Sequence, residues 1–203
     1  YNAVANPQKQ TVSYDARPDA GLSINKNGLP AGTTYAWTTI PSTTTGPGEK
    51  AGVVTVTYPD TSKDTVNVTI TVRKLSDEHE PTGTKIVRNQ NAPVTNNDLK
   101  AAVNVNNNGN SRVRSVTPVG TISTVNAGTQ TINATVTYLD GTTDPVTIPL
   151  EVKDVTAPTI QTPNNRQNWD LIALDRTLPS IKVAATDNPG GSCIKSTTVT
   201  RIP

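Results

Sequence analysis

An all-β chain built from tandem units, with room for one short helix per unit, is the fold this sequence predicts. Three observations predict it. Of the 203 residues only 33% are apolar and 3% aromatic, with no Phe and no Met, so one large core is excluded and thin, separate cores are expected. Val is the commonest apolar residue, and in two stretches it is set between Thr in alternation, which is the pattern of a half-buried strand. Finally, two alternating ribbons recur at an offset of 80 residues with no gap.

The repeat is read directly from the residues. Val53-Val54-Thr55-Val56-Thr57-Tyr58-Pro59-Asp60 matches Asn133-Ala134-Thr135-Val136-Thr137-Tyr138-Leu139-Asp140, and Asp64 to Val72 matches Asp144 to Val152. Side chains alternate across a strand, so Val54, Val56, Tyr58, Val66, Val68, Ile70 and Val72 are predicted to line the inner face of an antiparallel hairpin. Ala134, Val136, Tyr138, Val146, Ile148, Leu150 and Val152 do the same in the second copy. The strands are joined by 59–64 and 139–144, where Asp, Ser and Gly141 favour turns. Pro145 and Pro149 lack a ladder donor, so the strand they share is predicted to be an edge, or to turn both proline nitrogens outward.

Upstream of the hairpins the copies diverge. Ala3–Ala5 and Gln10–Tyr14 are candidate strands, Pro30 and Gly32 mark a turn, and Thr34–Trp37 opens a further strand. In the second copy Lys85–Arg88 reads as a strand. Thr95, with Asp98 three residues on, reads as the capped start of one or two helical turns. Val113, Val116 and Val119 continue the β pattern. The resulting division is a first module over 1–75, a linker over 76–81, a second and divergent module over 82–154, and a partial or compact β unit over 155–203. The last is too short for a sandwich of about 100 residues. The chain opens on Tyr1 rather than Met, which predicts a processed chain or an excised fragment.

Function classes fall by exclusion. The net charge of +2 comes without a basic block, so no nucleic-acid groove is expected. No run approaches the roughly 18 apolar residues of a membrane-spanning helix, so no direct membrane insertion is expected. No nucleophile elbow, phosphate-binding loop or zinc-ligand cluster is present. The single His, His79, lies in the charged run Ser76–Pro81 and reads as a solvated linker residue. Cys193 reads as a small half-buried strand residue rather than a catalytic thiol. Asp60, Asp64, Asp140 and Asp144 read as turn-formers rather than as paired catalytic carboxylates. The expected protein is therefore not an enzyme and needs no cofactor.

Two sets of residues are candidates for binding. Asp154, Asp187 and Asn188 offer hard oxygen ligands for calcium at the junction with the third unit, although the six or more oxygens calcium prefers are not all in sight. Trp169, in the polar run Asn164–Asn168, is a candidate for stacking on a sugar ring. Trp37 and Tyr35 point to one face of their strand and are predicted to fill a thin core.

The segments Leu29-Pro30-Ala31-Gly32-Thr33-Thr34-Tyr35-Ala36-Trp37, Pro47-Gly48, Val54 to Asp60 and Lys63 to Ile70 resemble the Rib/alpha-like repeats of Gram-positive surface proteins. Residues 82–154 resemble a divergent copy that keeps Tyr138-Leu139-Asp140-Gly141. Residues 155–203 resemble, over Asp154–Pro158 and Ala185–Gly191, the start of a bacterial Ig-like or cadherin-like module. The resemblance implies immunoglobulin-like β-sandwich modules strung as an extended rod on an extracellular, cell-wall-anchored surface protein. It implies a non-enzymatic stalk that projects an adhesive region, monomeric as an isolated fragment. Alternatively, the segment would itself bind a host glycan or matrix protein, would contact neighbouring modules, or would be the accessory domain of a secreted polysaccharide-active enzyme. An intramolecular Lys–Asn isopeptide bond, another device of such stalks, is not expected, because the acids sit in turns.

Overall fold

The computed structural model describes residues 1–161, 184–192 and 194. Both ribbons form the expected hairpins. The first joins β3 (Gly48–Thr57) to β4 (Lys63–Val72), and the second joins β9 (Gly128–Tyr138) to β10 (Thr143–Lys153). All fourteen residues assigned to the inner faces are buried, from 0% exposure at Val54, Val136 and Tyr138 to 7% at Val66. The two faces serve separate cores. One holds Ile24, Val54, Val56 and Tyr58. The other holds Leu99, Val116, Val136, Tyr138, Ile148 and Leu150.

Each hairpin is the middle of a four-stranded sheet. In the first unit β1 (Thr11–Val12) and β2 (Thr34–Thr39) flank it in the order β1-β4-β3-β2. In the second, β6 (Ile86–Asn89) and β8 (Val113–Pro118) give the order β6-β10-β9-β8. The opening strand of each four-stranded sheet runs parallel to its last strand, with Thr11 opposite Thr71 and Val87 opposite Glu151. The other pairs are antiparallel.

The second layer over each sheet is small. In the first unit it is a 3₁₀ turn at Gly21–Ser23, which holds Ile24 against the core, and one bridge between Ala5 and Ile24. Ala3–Ala5 thus forms a bridge rather than a strand. In the second unit β5 (Pro81–Gly83) pairs with β7 (Val103–Val105), and helix α2 (Asn96–Ala101) buries Leu99. Here the expected cap is present: the Thr95 hydroxyl accepts from the Asp98 N–H, and the Asp98 carboxylate accepts from the Thr95 N–H. Those bonds, with the adjacent Arg88 guanidinium, hold the Asp98 carboxyl down at about 2.

Two expectations need correction. The stretch 76–81, read as a linker, lies within a built junction. Helix α1 (Leu75–Glu78) leads into β5, and Leu75 is buried in the second core with 2% exposure, although the sequence division placed it in the first module. His79 is half-buried rather than solvated, with its ring 6.0 Å from that of Tyr138. The expectation for the strand carrying Pro145 and Pro149 holds where they sit, because β6 pairs with it only from Leu150 to Lys153. Both exposed prolines lie before that point, where the ladder pairs β10 with β9 alone, so neither faces a carbonyl that needs a donor. A short antiparallel pair, β11 (Thr159–Gln161) with β12 (Ala184–Thr186), follows the second unit.

Candidate functional site

The residues repeated most faithfully form a tie at the turn of each hairpin. Tyr58 directly follows β3, and its hydroxyl donates to Asp64 at 2.5 Å; Tyr138 ends β9 and donates to Asp144 at 2.8 Å. Each Asp lies six residues after its Tyr, one residue into the returning strand, so the tie pins the turn across the hairpin. Its electrostatics are mutual. The bond to Asp64 pushes the Tyr58 hydroxyl up to about 12, with desolvation adding to it, and the same bond lowers the Asp64 carboxyl. Tyr138 is raised further, chiefly because it is desolvated, then by its bond to Asp144. Asp64 also accepts from the Ala3 N–H at 3.1 Å, which fastens the incoming chain to the turn.

Asp60 and Asp140 form the turns themselves, as expected of them. Asp60 Oδ1 accepts from the Ser62 N–H and hydroxyl at 3.1 and 2.5 Å, which lowers its carboxyl. Asp140 Oδ1 accepts from the Thr142 N–H and hydroxyl at 2.9 and 2.7 Å. The second turn does more: Asp140 Oδ2 accepts from the Leu75 N–H at 2.8 Å, and Thr142 Oγ1 from the Ser76 N–H at 3.2 Å. The chain leaving the first unit is therefore grasped by the turn of the second. Around it, Ser13 donates to Glu78 at 2.5 Å, Arg112 pairs with Asp15 at 3.4 Å, and Tyr14 packs against the second core.

The calcium candidates do come together. Asn188 follows Asp187 and lies beside Asp154, with its amide 2.5 Å from that of Gln90. The Asp154 carboxylate, however, is already occupied. Oδ1 accepts from the Thr156 N–H at 2.9 Å, and Oδ2 accepts from the Ser192 N–H and hydroxyl at 2.8 and 3.1 Å, which lowers its carboxyl. Among the described residues no three His, Cys, Asp or Glu side chains gather as a metal site. The cluster seats the 187–191 turn on the second unit. The Gln90 amide also donates to the Pro189 carbonyl at 3.0 Å, and the Ala127 N–H to the Gly190 carbonyl at 2.7 Å.

Trp169 and Cys193 lie outside the described residues. Trp37 and Tyr35 share a face as expected, but each is half-buried at the rim of the first core rather than enclosed in it. The Trp37 indole donates to the Pro18 carbonyl at 2.9 Å, and both rings border an open groove with Arg17, Asp19 and Ala20. Sequence reasoning missed the junction clasp, because Leu75 and Ser76 stand alone in a charged stretch. The spacing repeated in both copies, Asp60 with Ser62 and Asp140 with Thr142, was its available signal.

Comparison with known proteins gives this architecture a family. The Rib domain matches the chain twice, over residues 1–74 and 76–154. The C protein alpha-antigen of Streptococcus agalactiae is 34% identical over 138 residues, which is 66% of this chain and 13% of the antigen; the chain thus spans about an eighth of that relative. A Rib structure from Streptococcus pyogenes is 43% identical, covering 36% of this chain and 94% of its own, with a TM-score of 0.33. The first two extracellular cadherin repeats of human mucin-like protocadherin are 11% identical, covering 75% and 98%, with a TM-score of 0.26. With two successive matches that together span most of its length, the chain belongs to the Rib domain family.

Proposed function

We propose that these tandem Rib units are a non-enzymatic spacer of a bacterial cell-surface protein, anchored to the wall and holding a binding region away from it. The observation that carries this reading is the parallel pairing of the first and last strand of each four-stranded sheet. Parallel partners start at the same end. The chain therefore enters each unit near its hairpin turn, where Ala3 meets Asp64 and Leu75 meets Asp140, and leaves at the opposite pole after Val72 or Lys153. An antiparallel first and last strand would return the chain to where it began. With ten residues in β4 at about 3.3 Å each, every unit advances the chain by roughly 33 Å.

The similarity to a streptococcal antigen supports the surface location. Small-angle scattering on the full chain tests the spacer. A compact 203-residue globe has a radius of gyration of about 17 Å. A clearly larger value, with an elongated distance distribution, is expected; a value near the globular one overturns the reading. The groove beside Tyr35 and Trp37 favours a second reading, in which the first unit also takes a sugar ring. Binding on a glycan array that is lost in Trp37→Ala would establish it.

A further inference from the structure

We infer that the Asp60–Ser62 turn of the first unit is a receptor for the chain leaving a preceding Rib unit, and that it grips two successive backbone amides there. The clasp of the second unit is the template. In that turn Asp140 uses Oδ1 to hold its own Thr142, and turns Oδ2 to the Leu75 N–H, while Thr142 Oγ1 takes the Ser76 N–H. Asp60 and Ser62 occupy the same places 80 residues earlier. They make the same internal bonds through Oδ1 and the seryl hydroxyl. Asp60 Oδ2 has no donor among the described residues, and the turn is exposed.

The register of the ladders says what fits. Thr71 faces Thr11, and its repeat counterpart Glu151 faces Val87, so the incoming segments of the two units differ by 76 positions. Leu75 and Ser76 therefore correspond to the two positions immediately ahead of Tyr1. A similar pair of residues follows the second unit, where the Thr156 N–H is held by Asp154 Oδ1. Val155 and Thr156 stand after β10 where Leu75 and Ser76 stand after β4, again an apolar residue followed by a hydroxyl residue. Leu75, docked, is 2% exposed, whereas Val155 is 64% exposed. The occupant that fits the Asp60–Ser62 turn is thus the tail of another Rib unit. This names the contact that the tandem reading above requires, and it is tested separately from the particle's shape.

The test adds Lys-Leu-Ser, the sequence of residues 74–76, directly before Tyr1 of the full chain and follows amide hydrogen exchange by NMR. The amides of the added Leu and Ser should exchange at least roughly tenfold more slowly than in the same extension on Asp60→Asn, the effect of losing a bond to a charged acceptor. That substitution keeps the turn, since its amide oxygen still accepts from Ser62, but sets an N–H donor against the incoming amides. Asp140→Asn in the same chain should release Leu75 alike. Equal exchange with and without Asp60, whether fast or slow, overturns the receptor, even if scattering finds an elongated particle.

Discussion

Leu75→Ala separates the junction described here from an ordinary linker. Leu75 is 2% exposed and belongs to the core of the second unit, although it follows the last strand of the first by only three residues. Its backbone bond to Asp140 survives the substitution, so the loss isolates side-chain burial. Truncating a buried Leu costs about 2–5 kcal/mol, depending on how far the site collapses. For a unit of some 80 residues each kcal/mol lowers the midpoint by about 4–8 °C. The second unit should therefore melt about 8–40 °C lower, with the first unchanged. Hydrogen exchange followed by peptide mass spectrometry reads the units separately: peptides from β9 and β10 should lose protection, and those from β3 and β4 should keep it. An exposed linker residue would cost within about 0.5 kcal/mol. A loss that small, or one shared equally by β3 and β4, would refute the assignment of Leu75 to the second core.

Three further outcomes follow from the structure. Thr61 adopts φ 69° where the second copy has Gly141 at φ 87°, a left-handed backbone that a β-branched residue occupies under strain. Thr61→Gly should stabilise the first unit by about 1 kcal/mol against urea, the relief of strain exceeding the entropy glycine adds to the unfolded chain. Gly83→Ala would place a methyl 2.1 Å from the Thr147 carbonyl oxygen, a backbone atom that cannot swing away; urea titration should show the second unit losing more than about 3 kcal/mol, or failing to fold. Both tied tyrosines have folded pKa values raised above the ordinary 10, so the stability they lend is complete below pH 10 and lost as pH rises through the folded values, about 12 for Tyr58. Urea midpoints between pH 8 and 12 should fall for both units, and Tyr58→Phe should flatten that fall in the first.

The hairpins were legible because their signal is local and repeated. A period of two over ten residues leaves one face to bury, and an 80-residue copy in register makes coincidence implausible. The cap at Thr95 was legible for the same reason, since its two partners stand three residues apart. The junction was not. Leu75 is a single apolar residue in the charged run 73–80, and periodicity cannot say which of two neighbouring cores claims it. Nor can a local rule tell that Asp64 and Asp144 bind a tyrosine hydroxyl while Asp60 and Asp140 shape a turn. All four have turn composition, and the division depends on where the hairpin places their oxygens. The prolines of β10 show the same limit: the ladder tolerates them because β6 is short, which the sequence of β10 does not contain.

Parallel terminal strands also decide how such a chain bears load. Tension on the two ends of a unit pulls its first and last strands past each other along their length, so the bonds between them share the force instead of opening one by one. The first unit closes this ladder with two residue pairs, Thr11 with Thr71 and Val12 with Val72. The second closes it with four, Ile86 to Asn89 against Leu150 to Lys153. Forced unfolding follows the barrier to opening rather than overall stability, so the first unit should yield at the lower force. A cross-link identifies it. In a Cys193→Ser background, Thr11→Cys with Thr71→Cys joins partners that face each other across one ladder step, within reach of a disulfide. Single-molecule stretching should show two events from the Rib pair at distinct forces, and oxidation should abolish the weaker. If oxidation removes the stronger event, or if the two forces coincide, the length of the parallel ladder does not set the mechanical strength of these units.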